Sequence, residues 1–251
     1  MIFYFSGTGN SLDIAKRLAR NLGETGVYSM AKEPMSEQIG GRNEIIGFVF
    51  PSYFGNLPRI VGKFISVLNI HPETYVYGVV TMGAFGQGSV AALEKALAEK
   101  GIKLHYGCGI RMPANYIISY NPMLFGRAGT AEKRIKRISD EIAAKKATIK
   151  KSSFIFDTLY KNIEQLDEKF YTDDKCTGCG QCDDICPVVN IRLTDGKPRW
   201  QHHCEHCMAC IHWCPQKAIQ YGEKTPKRRR YRNPNVDVSE MIMEHFQESF
   251  V

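Results

Sequence analysis

Two short runs of the sequence share one cysteine spacing, which constrains this chain more than any other feature. The runs are CTGCGQCDDICP (176–187) and CEHCMACIHWCP (204–215), and each reads C-x₂-C-x₂-C-x₃-C-P. Together they hold eight of the nine cysteines in the 251 residues. Three cysteines at such close intervals can wrap one face of a compact metal group, while the proline after the fourth turns the backbone away. The pattern therefore predicts metal binding.

The rest of the sequence favours metal over disulfides for these cysteines. Met1 leads directly into a strand pattern, without the basic and apolar leader of a secretory signal. No apolar run approaches the ~18 residues that a membrane helix needs. We therefore expect a cytoplasmic protein with no membrane segment, in which thiols stay reduced and can bind metal. Zinc is the weaker alternative, because zinc sites use separated pairs of cysteines.

The doubled run resembles the bacterial two-cluster ferredoxins, in which the fourth cysteine of each run binds the cluster of the other run. This resemblance implies two 4Fe–4S clusters. One would be held by Cys176, Cys179, Cys182 and Cys214, and the other by Cys186, Cys204, Cys207 and Cys210. A segment of ~50 residues buries little core, so we expect the metal to organise a small α+β domain here.

Other residues near the two runs have weaker signals. His202, His203, His206 and His212 surround the second run, and we expect them to tune the charge near its cluster or simply to face solvent. Trp213 is expected to pack against the cluster or the domain core. The ninth cysteine, Cys108, stands alone in an apolar strand pattern, which is typical of a buried, inert thiol.

A different signal stands at the start of the chain, where a glycine loop joins a strand pattern to a helix pattern. The loop consists of Ser6, Gly7, Thr8, Gly9, Asn10 and Ser11. A helix that begins after such a loop can bind phosphate, because its first backbone N–H groups point at the anion. The loop lacks the lysine of a nucleotide-triphosphate site, and Leu12 stands where a dinucleotide site needs its third glycine. A neutral loop with three hydroxyls suits a terminal phosphate monoester, and an ordinary turn capped by Ser11 is the alternative.

Strand and helix patterns alternate through the first half of the chain. Short apolar runs predict strands over 3–5, 44–50, 74–81 and 102–110, and apolar residues at helical spacing predict helices over 12–22, 58–68 and 89–100. This alternation predicts an α/β fold, a doubly wound parallel sheet that binds ligands at the carboxyl ends of its strands. Residues 129–170 read as helix with a break near 150–154, which would couple the sheet to the cysteine-rich part.

The loops that follow the predicted strands hold the remaining candidate residues. They are Pro51, Ser52, Tyr53, Phe54, Gly55 and Asn56 in the second loop, Thr81, Met82, Gly83, Ala84, Phe85 and Gly86 in the third, and Asn115 and Tyr116 in the fourth. Aromatic side chains can cover a flat ring, and glycines let the backbone approach it closely.

With SGTGNS, PSYFGNLP and TMGAFG on three such loops, residues 1 to about 125 resemble the flavodoxin family. The resemblance implies noncovalently bound FMN. Its phosphate would lie in the first loop, and its isoalloxazine ring would lie between the second and third loops. The peptide around Gly55 would hydrogen-bond near flavin N5, and Asn115 and Tyr116 would reach or roof the flavin.

Nearly the whole chain resembles flavodoxin–ferredoxin fusion proteins of anaerobic bacteria and archaea. The expected parts are a flavodoxin-like domain over 1–150, a connecting helix over 151–170, a two-cluster ferredoxin domain over 171–222 and a basic C-terminal tail over 223–251. The resemblance implies an electron-transfer protein that relays electrons between two 4Fe–4S clusters and FMN, with no catalytic acid or base. Two alternatives stay open. One is an FMN-dependent reductase of a quinone or nitro compound, and the other is a cluster-based redox sensor that uses its basic tail on nucleic acid.

The formal charge of +7 is concentrated in two basic runs. Residues 131–151 carry eight basic and three acidic side chains, and residues 224–232 carry six basic and no acidic ones. Such runs are most often solvated faces, and an acidic redox protein is the partner that they would attract. No helix-turn-helix, zinc-finger or RNA-recognition motif supports nucleic acid as a partner.

Overall fold

The computed structural model describes residues 1–23, 26–31, 38–42, 44–83, 86–119, 131–150 and 164–242. Its N-terminal part is a six-stranded sheet. The strands are Ile2–Tyr4 (β1), Val27–Ser29 (β2), Ile45–Pro51 (β3), Tyr75–Met82 (β4), Leu104–Arg111 (β5) and Thr148–Ile149 (β6). All neighbours pair in parallel, in the order β2-β1-β3-β4-β5-β6. This order is flavodoxin-like, and its ligand crevice lies at the switch between β1 and β3.

Four helices accompany this sheet, at Asn10–Leu22 (α1), Arg59–Val67 (α2), Gln87–Ala98 (α3) and Ala131–Ala143 (α4). The helix α1 ends at Gly23, whose left-handed φ of 68° suits a glycine cap. The central strands β3 and β4 are buried along almost their whole length, because helices cover both faces of the sheet. The predicted α/β class is confirmed. No helix in the described ranges is long and apolar enough to cross a membrane.

The prediction of a helix over 129–170 holds for Ala131–Ala143 and is wrong just after it. The helix α4 ends at Ala143, Lys145 takes a left-handed φ of 49°, and the chain then adds β6 to the sheet edge. The hydroxyl of Tyr75 donates to the Lys146 carbonyl at 2.7 Å. This contact with the sheet holds the chain at a point where helix propensity alone would extend the helix. Residues 164–169 form a short 3-10 helix. The proposed break near 150–154 lies, apart from its first residue, outside the described ranges.

The cysteine-rich part is a small α+β unit. The strand Phe170–Thr172 (β7) pairs antiparallel with Ile219–Tyr221 (β10), and Ile191–Thr194 (β8) pairs with Lys197–Trp200 (β9). A two-residue turn joins β8 to β9 through Asp195 and Gly196, whose φ angles of 50° and 68° fit a tight hairpin. The short helices Gln181–Asp184 and Ala209–Trp213 each carry one cysteine.

The sheet and the cysteine-rich part share one hydrophobic core. Ile185, Cys207, Ala209 and Trp213 pack in the same buried cluster as the apolar residues of the sheet. Val236 and Met241, from the C-terminal segment, join this cluster as well. The two parts are therefore held in a fixed relation by buried apolar contacts.

The C-terminal segment also anchors to the start of α1 through a buried polar network. The Tyr231 hydroxyl donates to Asn10 Oδ1 at 2.7 Å. Asn233 Nδ2 donates to Asn10 Oδ1 at 3.1 Å and to Asp13 Oδ2 at 3.4 Å, and Asn233 N donates to the Thr8 carbonyl at 2.8 Å. This network places the segment against the predicted phosphate loop.

The basic run 224–232 is only partly a solvated face. The Arg230 guanidinium donates to the carbonyls of Ile219 and Thr225, and that of Arg228 donates to the Ile117 carbonyl. The Arg232 guanidinium lies 5.6 Å from the ring centroid of Trp213, within cation–π range. Three of the six basic side chains thus contact the fold.

Asn233→Ala should lower the free energy of unfolding by about 1–3 kcal/mol, because it removes buried hydrogen bonds to Asn10 and Asp13. Asn69→Ala is the control, since Asn69 is exposed and lies outside this network, and a surface change is worth at most about 0.5 kcal/mol. Urea unfolding of the cofactor-loaded protein measures both. Equal losses would mean that Asn233 does not anchor the segment.

Candidate cluster and flavin sites

The eight predicted ligands line two cavities, and each cavity takes three cysteines from one run and one from the other. The first is bordered by Cys176, Cys179, Cys182 and Cys214, and the second by Cys186, Cys204, Cys207 and Cys210. The two cavities are similar in size, as expected if both hold the same kind of group. The grouping is the same as the crossed set inferred from the spacing, and ligation itself stays a prediction.

Both runs curl in the same way to bring their cysteines together. Gly178 and Gly180, two and four residues after Cys176, have left-handed φ angles of 71° and 84°. His206 and Met208 occupy the same two positions after Cys204, with φ angles of 53° and 62°. A left-handed conformation costs a residue with a side chain of order 1–3 kcal/mol and persists where packing enforces it.

Packing does enforce this conformation at His206. The His206 ring makes edge contacts with Phe170 and Tyr221, with ring centroids 5.9 Å apart in each case. Met208 is buried in the same apolar cluster as Phe170. His206 is therefore buried and helps to shape the loop, so the expectation that it faces solvent is wrong, and charge tuning stays a prediction.

The buried thiols are poorly suited to ionise by themselves. Burial, with a smaller contribution from neighbouring thiols, raises the pKa of Cys182 and of Cys204 to about 12. Burial likewise places the pKa of Cys207 and Cys210 well above the ordinary value. Cysteine binds metal as thiolate, so a cationic iron centre must supply the stabilisation that the protein interior withholds.

Backbone N–H groups already point at three of the sulfur atoms. Asn190 N lies 3.1 Å from Cys186 Sγ, His206 N lies 3.3 Å from Cys204 Sγ, and Ala218 N lies 3.3 Å from Cys214 Sγ. Such bonds favour thiolate and contribute to the reduction potential of a cluster. The donor set therefore fits an iron–sulfur centre.

Zinc is the alternative that the sequence left for these cysteines. A zinc site needs its donors within about 2.3 Å of one ion. Across the described part of the chain, no group of three or more His, Cys, Asp or Glu side chains converges enough to hold a single ion.

The remaining histidines do not act as one group. His212 is buried, and its Nε2 donates to the Asn115 carbonyl at 2.7 Å while its Nδ1 accepts from Tyr231 N at 3.1 Å. Burial lowers the pKa of His212 to about 4, so the ring is neutral and serves to position the loop after β5. His202 is exposed and pairs with Asp167 at 2.8 Å, and His203 is exposed as well.

The predicted phosphate loop has the backbone of an anion site. The first turn of α1 closes with a bond from Asp13 N to the Gly9 carbonyl at 2.9 Å. The N–H groups of Asn10, Ser11 and Leu12 therefore have no partner inside the helix. Gly9 has a φ of 88°, and its N–H donates to Ser6 Oγ at 3.0 Å, which closes the loop into a tight turn. These features fit a phosphate at the positive end of α1.

The loop hydroxyls are not equivalent. Ser11 Oγ lies 2.8 Å from Thr81 Oγ1, so these two predicted contacts hydrogen-bond to each other. Thr8 Oγ1 accepts from Asn115 Nδ2 at 2.9 Å and keeps its own proton to donate. Asn10 Nδ2 donates to the Pro113 carbonyl at 3.0 Å. Thr8 is thus the hydroxyl best placed to bind a phosphate oxygen.

The second loop folds as a tight two-residue turn. Tyr53 and Asn56 exchange both backbone hydrogen bonds, at 3.2 and 2.9 Å. Between them Phe54 and Gly55 have φ angles of 53° and 77°, the left-handed pair that a type I′ turn requires. The Phe54 ring meets the Tyr116 ring edge-on at 5.2 Å, so the second and fourth loops touch.

Ser89, at the start of α3, is a positioning residue that the sequence patterns miss. Its hydroxyl lies 2.7 Å from the Asn56 carbonyl and 2.8 Å from Ser52 Oγ, and the side chain is fully buried. The only signal in the sequence is its position just after the third loop. These hydrogen bonds hold the second loop against the start of α3.

The other predicted flavin contacts lie at the same edge of the sheet. Pro51 ends β3, Thr81 and Met82 end β4, and the Ser52 N–H donates to the Thr81 carbonyl at 2.8 Å. Gly83 and Gly86 flank the third loop, and Ala84 and Phe85 between them lie outside the described residues. The described members of all four loops therefore meet where the topology puts the ligand crevice.

The cysteine runs match known proteins. The model of the 4Fe-4S binding domain family matches residues 170–192, which include the first run. An uncharacterized ferredoxin of Methanocaldococcus jannaschii is 33% identical over 61 residues, which are 22% of this chain and 79% of that protein. The chain belongs to the ferredoxin family. Its cysteine-rich part is called the ferredoxin part below.

Two further proteins are similar to parts of the chain. One subunit of the ion-translocating oxidoreductase complex of Methanosarcina acetivorans is 40% identical over 55 residues, which are 22% of this chain. The chain spans only 21% of the length of that relative. The structure of a Streptococcus pneumoniae flavodoxin aligns with 57% of this chain and 97% of its own, with 16% identity and a TM-score of 0.40.

The ferredoxin part contacts the phosphate loop directly. Trp213 Nε1 donates to the Gly7 carbonyl at 3.0 Å. Gly7 also approaches the Cys207 carbonyl so closely that a Cβ on Gly7 would lie 2.3 Å from its oxygen. At the start of α2, Arg59 N donates to Glu205 Oε1 at 2.7 Å, and the Arg59 guanidinium donates to the Cys204 carbonyl. Nothing in the sequence distinguishes Arg59 and Glu205 from ordinary surface residues.

Cysteine substitutions should show crossed damage. Cys214→Ala should lower the iron content from about eight to about four atoms per chain by removing the site of Cys176, which lies in the other run. Adding Cys176→Ala should remove no further iron, whereas adding Cys204→Ala should remove almost all of it. Iron analysis with electron paramagnetic resonance of the reduced protein measures this. Retention of about four irons by the Cys214→Ala/Cys204→Ala variant would contradict the crossed grouping.

Proposed function

We propose that this chain is an electron-transfer flavoprotein that carries two 4Fe–4S clusters in its ferredoxin part and FMN at the carboxyl edge of its sheet. The observation that carries the proposal is the grouping of eight cysteines around two cavities, in a part of the chain that contacts the phosphate loop directly. Clusters of this type exchange single electrons and FMN can take one or two, so the three groups together link one-electron to two-electron chemistry.

The residues of the sheet edge supply binding and orientation. The N–H groups of Asn10 and Ser11, with the Thr8 hydroxyl, would hold the phosphate at the positive end of α1. Burial of the whole loop Ser6–Ser11 excludes water and strengthens those hydrogen bonds. The turn at Phe54 and Gly55, supported by Ser89 and Tyr116, would lie against the ring.

The proposed flavin contacts contain no ionisable acid or base apart from tyrosine. They consist of Ser, Thr, Asn, Gly, Ala, Pro, Met and aromatic residues. A reductase that protonates a small substrate normally positions a general acid near it. The neutral composition therefore supports an electron carrier over a reductase of small molecules.

A redox protein is the proposed partner. The Methanosarcina relative, which this chain matches over 55 residues, is named as a subunit of an oxidoreductase complex. The exposed lysines of α4, Lys133 and Lys136, with Lys145 and Lys146 just after it, form a basic face. Such a face favours an acidic partner through electrostatic steering.

Protein purified without oxygen should contain about eight irons, as two four-iron clusters require, and one FMN. After rapid anaerobic mixing with a reductant, cluster bleaching and flavin reduction should both be seen. The rate at which electrons pass from the clusters to the flavin should not depend on protein concentration, because the core shared by the two parts keeps them together. A rate proportional to protein concentration would show exchange between molecules. Sustained turnover of a quinone would instead identify a reductase.

Thr8→Ala should weaken FMN binding by about one to two orders of magnitude, because it removes a hydrogen bond to a charged group worth roughly 1.5–3 kcal/mol. Thr8→Ser keeps the hydroxyl and should retain most of the affinity. Riboflavin has no phosphate, so its weaker binding should be nearly the same in wild type and Thr8→Ala. Flavin fluorescence titration measures all of these. Equal losses for FMN and riboflavin would mean that Thr8 acts only through the fold.

A further inference from the structure

The two cluster sites differ in where they sit relative to the sheet and to solvent. We infer that the cavity of Cys186, Cys204, Cys207 and Cys210 is an inner site fixed to the flavin phosphate loop, and that the cavity of Cys176, Cys179, Cys182 and Cys214 is an outer site through which a redox partner exchanges electrons. This inference rests on the proposed function and adds an order and a point of entry to it.

Backbone contact fixes the inner site to the phosphate loop. Gly7 has no side chain, and any Cβ there would collide with the Cys207 carbonyl, which belongs to the backbone and cannot rotate away. Gly7 is therefore needed for space and not for an unusual φ. The hydrogen bond from Trp213 to the Gly7 carbonyl holds the two backbones at this separation.

A second contact reinforces the same side of the inner site. Glu205 is buried, and its carboxylate accepts from Arg59 N at the start of α2. The carboxylate also lies 3.5 Å from the Arg59 guanidinium. Negative charge at the beginning of a helix is stabilised by the helix dipole. Cys204 and Cys207, on either side of Glu205, are thus held to α2 and to the phosphate loop together.

The outer site is the more exposed of the two. The described residues that line either cavity all belong to the ferredoxin part, so the two sites differ in their exposure to solvent and in their contacts with the sheet. Cys179 is exposed, and Cys176 and Cys214 are partly so. Leu193 lies at the cavity with 38% of its surface exposed. Three cysteines of the inner site, Cys186, Cys207 and Cys210, are by contrast buried.

The rate of electron exchange decays steeply with distance, so an external carrier exchanges electrons fastest with the cluster nearest the surface. A reduced one-electron carrier that docks at Leu193 and Cys179 gives up one electron there and is oxidised, and the outer cluster is reduced by that electron without bond change. The proposed carrier is a protein with an apolar surface beside its own redox centre. Such a surface matches the cavity edge, where the exposed Leu193 lies among charges of both signs, such as Lys197 and Asp195.

Iron release tests the order of the two sites without measuring activity. Under an iron chelator, the wild-type protein should lose half of its iron quickly and half slowly. Cys176→Ala should abolish the fast half and Cys204→Ala the slow half. Loss of the fast half in Cys204→Ala instead would overturn the inner and outer assignment. A protein that binds no iron at all would refute the proposed function itself, so the two failures are distinguishable.

Gly7→Ala tests the contact with the phosphate loop, with Gly62→Ala as its matched control. A Cβ at Gly62, in α2, would lie 3.8 Å from Leu57, an ordinary contact. Gly7→Ala should weaken FMN binding several-fold and speed the slow iron release several-fold, because both depend on the same contact. Gly62→Ala should change neither. A Gly7→Ala protein with weakened FMN and unchanged slow release would overturn the linkage.

Leu193→Glu tests the point of entry. Reduction by a reduced ferredoxin as the one-electron carrier should be slowed several-fold in its second-order rate, while reduction by dithionite, a small anion, should change far less. Val67→Glu is the control, because Val67 is an exposed apolar residue on α2. Equal rates with ferredoxin for wild type, Leu193→Glu and Val67→Glu would overturn the outer site as the docking surface.

Discussion

The ferredoxin part depends on thiols that its own interior makes reluctant to ionise. Burial raises the pKa of Cys182 and Cys204 to about 12, and only a bound iron centre can compensate for that loss of charge stabilisation. A segment with two short antiparallel strand pairs and two short helices has little core of its own. Metal binding therefore orders this segment, and with it the Trp213 side chain and Cys207 backbone that cover Gly7.

The sequence predicts the interior of the fold better than its edges. The apolar runs that became β3 and β4 are unambiguous because both faces of those strands are buried. The edge strands β2 and β6 have three and two residues, none of them buried, so they leave no apolar run to detect. The same reasoning explains the end of α4, where a tertiary hydrogen bond to Lys146 decides against helix continuation.

The candidate sites show a similar division. Cysteine spacing is a local property, so the two groups of ligands are evident from the sequence. The left-handed positions of His206 and Met208 can be recognised by aligning the second run with Gly178 and Gly180 of the first. The role of Gly7 cannot be predicted from its neighbours in the sequence. A glycine is needed there because the Cys207 carbonyl, two hundred residues away in the sequence, leaves no room for a side chain.

The junction between the two parts includes one close contact of backbone with backbone. The Cys207 carbonyl occupies the space that any side chain on Gly7 would need, and the Trp213 side chain donates to the Gly7 carbonyl beside it. Backbone groups cannot change rotamer, so this contact between the inner site and the phosphate loop leaves no room for a side chain to adjust. In the proposed relay the clusters and the flavin belong to one covalent chain, so a fixed distance replaces the diffusional encounter of two separate proteins. The step that still depends on an encounter is docking of the external carrier at the outer site, where Cys179 and Leu193 are exposed to solvent.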